Sequence, residues 1–447
     1  MKVLWLVSIT IPAAAAACGL DAREIGGGWL TGALQAVRTA PDAPELTVCS
    51  VDARVQGLTT GSAGGVTFAL LPDGSAEGFA ALLNALHPDL VHIGGTEYAA
   101  ARAMQQAAGA LPVLVGIQGV MTDCARHLND GVPQTCLHSC AIQRAIDRVV
   151  PGGLLDLSQD RFDTLAASER AVLQNARFVT GRTSFDRRAV AGLAPDALYY
   201  PCNETLRPEF YEPPIWRPRT FGQAPVLLLS QGNYPLKNLH TVLQALPALL
   251  ERWPGLVLRV AGWPPLDKGP LLRPVIRWMF PYQTWCARLV RQLGLEGHVE
   301  YTGPLNAAAM RQAYLEADLF VLPSYSENSP NSLGEAMLLG LPCVASRAGG
   351  IPDMMRDGAE GRIYGEPGDA AALADTAAAV LSLPDQGAAL GAAARTRALA
   401  THDAAKNAAD LIGIYRRILS KEDGVLHCLP SRSSFPATAP PQRCAGR

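Results

Sequence analysis

Short, largely apolar runs alternate with longer amphipathic stretches along most of the chain. In the first half the runs are Val3–Ser8, Leu46–Val51, Val66–Leu71, Leu90–Gly94, Pro112–Ile117, Phe178–Thr180 and Ala197–Pro201. Helical patterns such as Ala76–Leu86 and Phe162–Ala176 lie between them. Strands that are apolar on both faces need cover on both faces, so this alternation predicts a parallel sheet sandwiched by helices. The pattern restarts after residue 224, with strands expected at Val226–Ser230, Leu256–Gly262, Val299–Gly303, Leu319–Pro323, Cys343–Ser346 and Arg362–Tyr364. Helices are expected there at about Leu239–Arg252, Ala307–Ala317, Leu333–Leu339 and Ala370–Leu383. The fold class is therefore α/β, with two doubly wound Rossmann-like domains facing a central cleft. Ligands of such sheets bind at the carboxyl ends of the strands.

Arg207–Pro225 separates the halves, and its five prolines forbid a regular helix or central strand. The expected organisation is a first domain over 1–206, an extended linker over 207–224 and a second domain over 225–421. A tail over 422–447, rich in Pro, Ser, Ala and Gly, is expected to be disordered. The first residues, MKVLWLVSITIPAAAAAC, have the look of a short signal peptide or a lipoprotein signal. A buried first strand followed by a loop is the preferred reading. Only one basic residue precedes the apolar run, Pro12 interrupts it, and a glycine-rich turn follows at Gly26, Gly27 and Gly28.

Composition removes several function classes. The formal charge of -2 leaves no basic footprint for nucleic acid. No apolar run is long enough to span a bilayer. Ten cysteines form no CxxC pair, which disfavours a zinc ribbon or redox motif. Cys124, His127, Cys136, His138 and Cys140 invite a zinc hypothesis, but their spacing fits no standard set.

The chemistry concentrates in Leu319–Met355. A buried strand ends at Pro323, and Ser329-Pro330 is expected to open a helix, serine as cap and proline in the first turn, with Asn331 as an alternative cap. The free amides of Asn331, Ser332 and Leu333, with the helix dipole, then make an anion site. Glu327 stands in the loop before the helix and Glu335 within it, one on each side of that anion. Two hydroxyl acceptors around an anion site suit a sugar, a diphosphate and a ribose, the parts of a nucleotide sugar. A surface loop with two solvated glutamates is the plainer alternative for either residue alone. Lys237 follows the strand Val226–Ser230 and is expected near a helix start, where a cation opposes the dipole unless it meets an anion.

The segment resembles the donor-binding core of retaining glycosyltransferase family 4, which has the GT-B fold. The matching pieces are Ser324, Glu327, Glu335-Ala336-Met337, Gly340-Leu341-Pro342, Val344-Ala345 and Gly349-Gly350. The resemblance implies that Glu327 contacts the donor sugar, Glu335 the nucleotide ribose and Lys237 the diphosphate. Family members carry an arginine about six residues before the lysine; Gln231 stands there, and Arg347 beside the Gly349-Gly350 loop is a candidate to compensate. A glycine pair near Gly28 approaches donor and acceptor in the family. His92–Glu97 resembles a segment of bacterial cell-surface polysaccharide transferases, which makes His92 and Glu97 acceptor-side candidates; a packed strand histidine is the other reading of His92. Gln118 occupies the place of a family cleft histidine.

These residues lead to a retaining transferase that uses a nucleotide-sugar donor and a saccharide or lipid-linked glycan acceptor. No cofactor is expected and, with no Asp-x-Asp in the chain, no metal. A cytoplasmic location is expected. Arg273–Arg291 mixes basic and aromatic residues, which suits peripheral contact at the inner face of a membrane, or a helix packed on its own domain. A non-catalytic nucleotide-binding relative and a nucleotide-sugar epimerase of the same fold are the competing functions.

Overall fold

The computed structural model describes residues 1–21, 28–137, 158–219, 224–264 and 280–420. Two sheets form. The first contains β1 (Lys2–Val7), β2 (Glu45–Val51), β3 (Thr59–Ala63), β4 (Val66–Leu71), β5 (Leu90–Gly94), β6 (Val113–Gly116), β7 (Phe178–Gly181) and β8 (Leu198–Pro201). Their order is β3-β4-β2-β1-β5-β6-β7-β8, parallel except for the β3–β4 pair. The second contains β9 (Val226–Leu229), β10 (Val257–Val260), β11 (Val299–Tyr301), β12 (Leu319–Leu322), β13 (Cys343–Ser346) and β14 (Arg362–Tyr364), ordered β11-β10-β9-β12-β13-β14 and parallel throughout. Every residue of β12 and β13 is buried, as expected of central strands covered on both faces. Each sheet is the Rossmann-like layer expected from the apolar runs.

Three features differ from expectation. Pro12, expected to open a loop, sits in the first turn of helix Pro12–Ala17, where its missing N–H costs nothing. The 207–224 segment is not a free strap: Pro208–Phe210 makes a 3-10 turn, and Trp216 is buried with its indole N–H on the Ala317 carbonyl at 2.7 Å. Phe210 and Trp216 enter the core of the second domain, so the prolines exclude regular structure while the aromatics dock the segment. Lastly, helix Ala404–Ser420 packs on the first sheet, with Leu411, Ile412, Tyr415 and Ile418 in one core with Val3, Trp5 and Leu34. The tail over 422–447 lies outside the described residues.

The returning helix is held by a buried polar relay as well as by apolar area. Trp5 Nε1 donates to the Tyr415 hydroxyl at 2.8 Å, and that hydroxyl lies 2.8 Å from His92 Nδ1. Tyr415→Phe keeps the ring but leaves a buried indole donor and a ring nitrogen without partners. A loss of about 1–3 kcal/mol is expected, read as a lower urea midpoint at unchanged slope.

Candidate active site

The loop between β12 and helix Asn331–Leu339 carries the site. It leaves the carboxyl end of a central strand, beside β9 on one side and β13 on the other. Glu327 Oε1 accepts from Lys237 Nζ at 2.5 Å and from Ser324 Oγ at 2.8 Å. The lysine and glutamate side chains are 18% and 10% exposed, so the pair is largely shielded from screening. Burial pulls the Lys237 ammonium down, and the Glu327 carboxylate outweighs it, leaving lysine above its ordinary value. Lys237 ends a 3-10 turn, Pro235–Lys237, and the helix begins only at Leu239 after Asn238, which takes a left-handed conformation (φ 58°). It therefore stands outside the helix, not in its first turn as expected. The Asn238 amide donates to the Pro323 and Pro367 carbonyls at 2.9 and 2.7 Å, which fixes Lys237 against the loop that holds Glu327.

The helix start differs by one residue from expectation. Pro330, in extended conformation, is the cap, and Asn331 is the first helical residue. The Leu333 amide donates to the Pro330 carbonyl at 3.0 Å, so it is not free for an anion. The amides of Asn331 and Ser332 take no partner among the described residues and are the two that remain.

Glu335 is 4% exposed. Its two oxygens accept from Arg207 Nε and Nη2 at 2.8 Å each. Burial pushes its carboxyl up, opposed by Arg207. Arg207 belongs to the segment read from sequence as a linker, and nothing in the motif pattern marks it.

The glycine pair has a packing reason. A Cβ on Gly349 would lie 1.8 Å from the Glu327 carbonyl oxygen, and one on Gly350 would lie 2.0 Å from that of Asn328. The Gly350 amide donates to the Glu327 carbonyl at 2.9 Å. The bare backbone after β13 therefore lies directly on the loop bearing Glu327. Gln231 and Arg347 are exposed, and neither side chain has a partner among the described residues.

The same loop grips the first domain on both sides of Glu327. Ser326 Oγ donates to Asp123 Oδ2 at 2.6 Å. Asn328 accepts from Thr183 Oγ1 at 2.7 Å and donates to Asp186 Oδ2 at 3.0 Å. Thr183 and Asp186 also form a capping box at helix Ser184–Leu193, a Thr-x-x-Asp pattern that is visible in sequence. Ser326, Asn328, Asp123, Thr183, Asp186 and Arg207 make contacts that sequence reasoning missed.

On the first-domain side, a cavity of about 100 Å³ lies at the carboxyl ends of β1, β5, β6 and β7, under helices Gly28–Thr39 and Ala404–Ser420. His92, Gln118 and Arg182 line it with Trp5 and Leu30. The Tyr415 hydroxyl accepts from Trp5 and shares a hydrogen bond with His92 Nδ1. Burial pushes the imidazole down to about 4, which favours the neutral ring. His92 is thus both the packed strand histidine and a cavity wall. Glu97 folds back on its own loop, Oε2 accepting the Thr96 amide at 2.8 Å, and burial raises its carboxyl. Gly28 opens its helix against the Arg207 side chain; Gly26 and Gly27 lie outside the described residues.

Cys124 is buried beside Ser326, its thiol pushed up to about 12 by burial, and His127 pairs with Asp130 at 2.7 Å. Among the described residues no cluster of three His, Cys, Asp or Glu side chains is placed to hold a metal ion; His138 and Cys140 lie outside them. No helix among the described residues is long and apolar enough to cross a membrane. Part of Arg273–Arg291 lies outside the described residues; Pro281–Gln292 forms a helix with Tyr282, Trp285 and Cys286 buried in the second domain.

Residues 216–397 match the profile of the family described as glycosyl transferases group 1. Over these residues the chain is similar to that family's domain. Among curated relatives, the chain is 34% identical over 152 residues to D-inositol 3-phosphate glycosyltransferase 2 of Catenulispora acidiphila, 33% of each chain. It is 29% identical over 185 residues to the GDP-mannose-dependent alpha-(1-6)-phosphatidylinositol monomannoside mannosyltransferase of Mycolicibacterium smegmatis, 40% of this chain and 44% of that one. The matched region thus spans between a third and a half of these relatives. Among solved structures, sucrose-phosphate synthase from Thermosynechococcus elongatus aligns with a TM-score of 0.66 over 94% of this chain and 100% of its own, at 16% identity. Anabaena HepE in complex with UDP and glucose aligns with a TM-score of 0.62 over 93% and 99%, also at 16% identity. The two sheets together have the GT-B fold.

Proposed function

We propose that the chain is a retaining glycosyltransferase of family 4. It moves a sugar from a nucleotide-sugar donor to a saccharide or lipid-linked glycan in polysaccharide assembly. The observation that carries this reading is the Lys237–Glu327 pair at the carboxyl ends of β9 and β12, set before the free amides of Asn331 and Ser332. Two structures of the neighbour HepE hold UDP and glucose or UDP-glucose, which supports a nucleotide-sugar donor here.

In this reading the ammonium and the two amides take up the charge that develops on the departing diphosphate. Glu327, released from Lys237 by the arriving phosphate, orients the sugar. Ser326 and Asn328 tie the Glu327 loop to the first domain, so closure sets the acid in place and excludes water together. Glu335 accepts the ribose hydroxyls. The cavity beside His92 and Gln118 lies on the acceptor side. Gln231 supplies no charge where the family resemblance implies an arginine, which leaves more of the diphosphate to Lys237. No metal or cofactor is part of the proposal. The proposed location is the cytoplasm, with peripheral contact at the inner face of the membrane where a lipid-linked acceptor would be met.

The test is release of nucleoside diphosphate from a panel of nucleotide sugars, with and without glycan acceptors. A transferase releases diphosphate in proportion to glycoside formed, with the donor's anomeric configuration kept. Interconversion of free donors without acceptor points instead to an epimerase, and tight donor binding with no turnover to a non-catalytic relative.

A further inference from the structure

A buried carboxylate is a good hydrogen-bond acceptor only if something keeps it charged and still. Glu335 sits in a site that disfavours its charge, and the cation facing it is Arg207 of the 207–224 segment. The other titratable groups around it are Tyr314 and Glu209. The Tyr314 hydroxyl donates to the Ser332 carbonyl at 3.0 Å and lies 3.5 Å from Glu335 Oε2, so it adds little.

Arg207 is itself held from two sides. The Phe210 ring lies 4.6 Å from its guanidinium carbon. On the first-domain side Gly28 presses on the stem: a Cβ there would stand 2.3 Å from Arg207 Cδ. The head belongs to the second domain's helix and the stem meets the first domain's backbone. We propose that Arg207 is a positioning residue of the donor site: its two-pronged grip fixes the Glu335 carboxylate so that the remaining lone pairs accept the ribose hydroxyls of a nucleoside diphosphate. This rests on the reading of Glu335 as ribose acceptor given above.

Magnitudes favour sharing over displacement. A carboxylate offers about four lone-pair sites, and the guanidinium uses two. Charge-assisted bonds are roughly twice as strong as neutral ones. A ribose that expelled Arg207 would trade two strong bonds for two weaker ones and leave a buried cation to be rehoused.

Titration calorimetry with UDP, GDP and their 2′-deoxy counterparts tests the proposal. The wild-type protein is expected to favour a ribonucleotide over its deoxy form by about tenfold or more. Arg207→Met should bring that ratio near one and move the acid limb of affinity to higher pH, because desolvation of Glu335 is then opposed only by the distant Tyr314 hydroxyl. Arg207→Lys keeps a charge without the fork: it should restore the acid limb but not the ratio. Gly28→Ala leaves every charge in place, yet should lower the ratio by displacing the arginine stem.

A folded Arg207→Met protein with wild-type ratio and pH profile overturns the proposal. If that variant does not fold, a wild-type ratio in both Gly28→Ala and Arg207→Lys overturns it equally. Equal binding of ribo and deoxy forms by the wild type overturns the ribose reading itself, and binding of neither UDP nor GDP overturns the diphosphate site; the proposal falls with either.

Discussion

Lys237→Met is expected to lower turnover at saturating donor by about a hundred- to a thousandfold, the usual effect of removing one preorganised charge-stabilising group. The fold should survive. Glu327 keeps Ser324 Oγ as a donor at 2.8 Å, and both side chains retain some solvent contact. The stability loss should therefore stay below the ~3–5 kcal/mol of a fully buried broken pair. The split between kinetic constants is informative. The amides of Asn331 and Ser332 still meet the diphosphate in the ground state, so KM should move far less than kcat. Turnover close to wild type would remove Lys237 from the mechanism. A loss confined to KM would make it a binding residue only.

Arg182→Met is the second large effect, and it falls on stability. Arg182 Nη1 pairs with Glu204 at 2.6 Å with each side chain 8% exposed, and Nη2 donates to the Ile117 carbonyl and to Gln118. Removing the arginine leaves a buried carboxylate alone, at about 3–5 kcal/mol. The pH dependence follows from direction. Burial already raises the Glu204 carboxyl above its ordinary 4.5, opposed only by Arg182. A group whose folded form prefers the proton weakens the fold as pH rises through and above its unfolded value. The variant's deficit should be largest near neutrality and shrink as pH falls toward 4.5. Urea midpoints of both proteins across that range check it; a deficit flat in pH would contradict the account. Since Asn328 reaches the Gln118 carbonyl at 3.3 Å, donor affinity should fall with it.

Most of the two sheets was legible because central parallel strands must be apolar on both faces, and those runs stand out. β3 was not, because Thr59–Ala63 is a largely exposed edge strand without an apolar pattern. Its signal was Gly64-Gly65, both at positive φ between the paired residues Ala63 and Val66, a two-residue hairpin. The placement of Ala404–Ser420 on the first sheet was not legible either: an amphipathic helix shows that it has a face to bury, not which sheet will take it. The site was readable as a motif but not as a network. Glu327 and Lys237 were identified one by one, whereas their pairing depends on Asn238 and on the glycine backbone after β13. Arg207 escaped because prolines around it suggested a passive strap. At Ser329-Pro330 the expected cap was wrong: Pro330 takes the cap position, neither Ser329 nor Asn331 caps the helix, and it starts one residue later.

The central claim is that the second domain binds a diphosphate with Lys237 and the first turn of helix Asn331–Leu339. Crystals grown with a nucleoside diphosphate test it most directly. The account predicts phosphate oxygens within hydrogen-bond distance of the Asn331 and Ser332 amides and of Lys237 Nζ, with the Lys237–Glu327 pair opened or shared. Nucleotide bound elsewhere, with that pair intact and those amides bare, would contradict it.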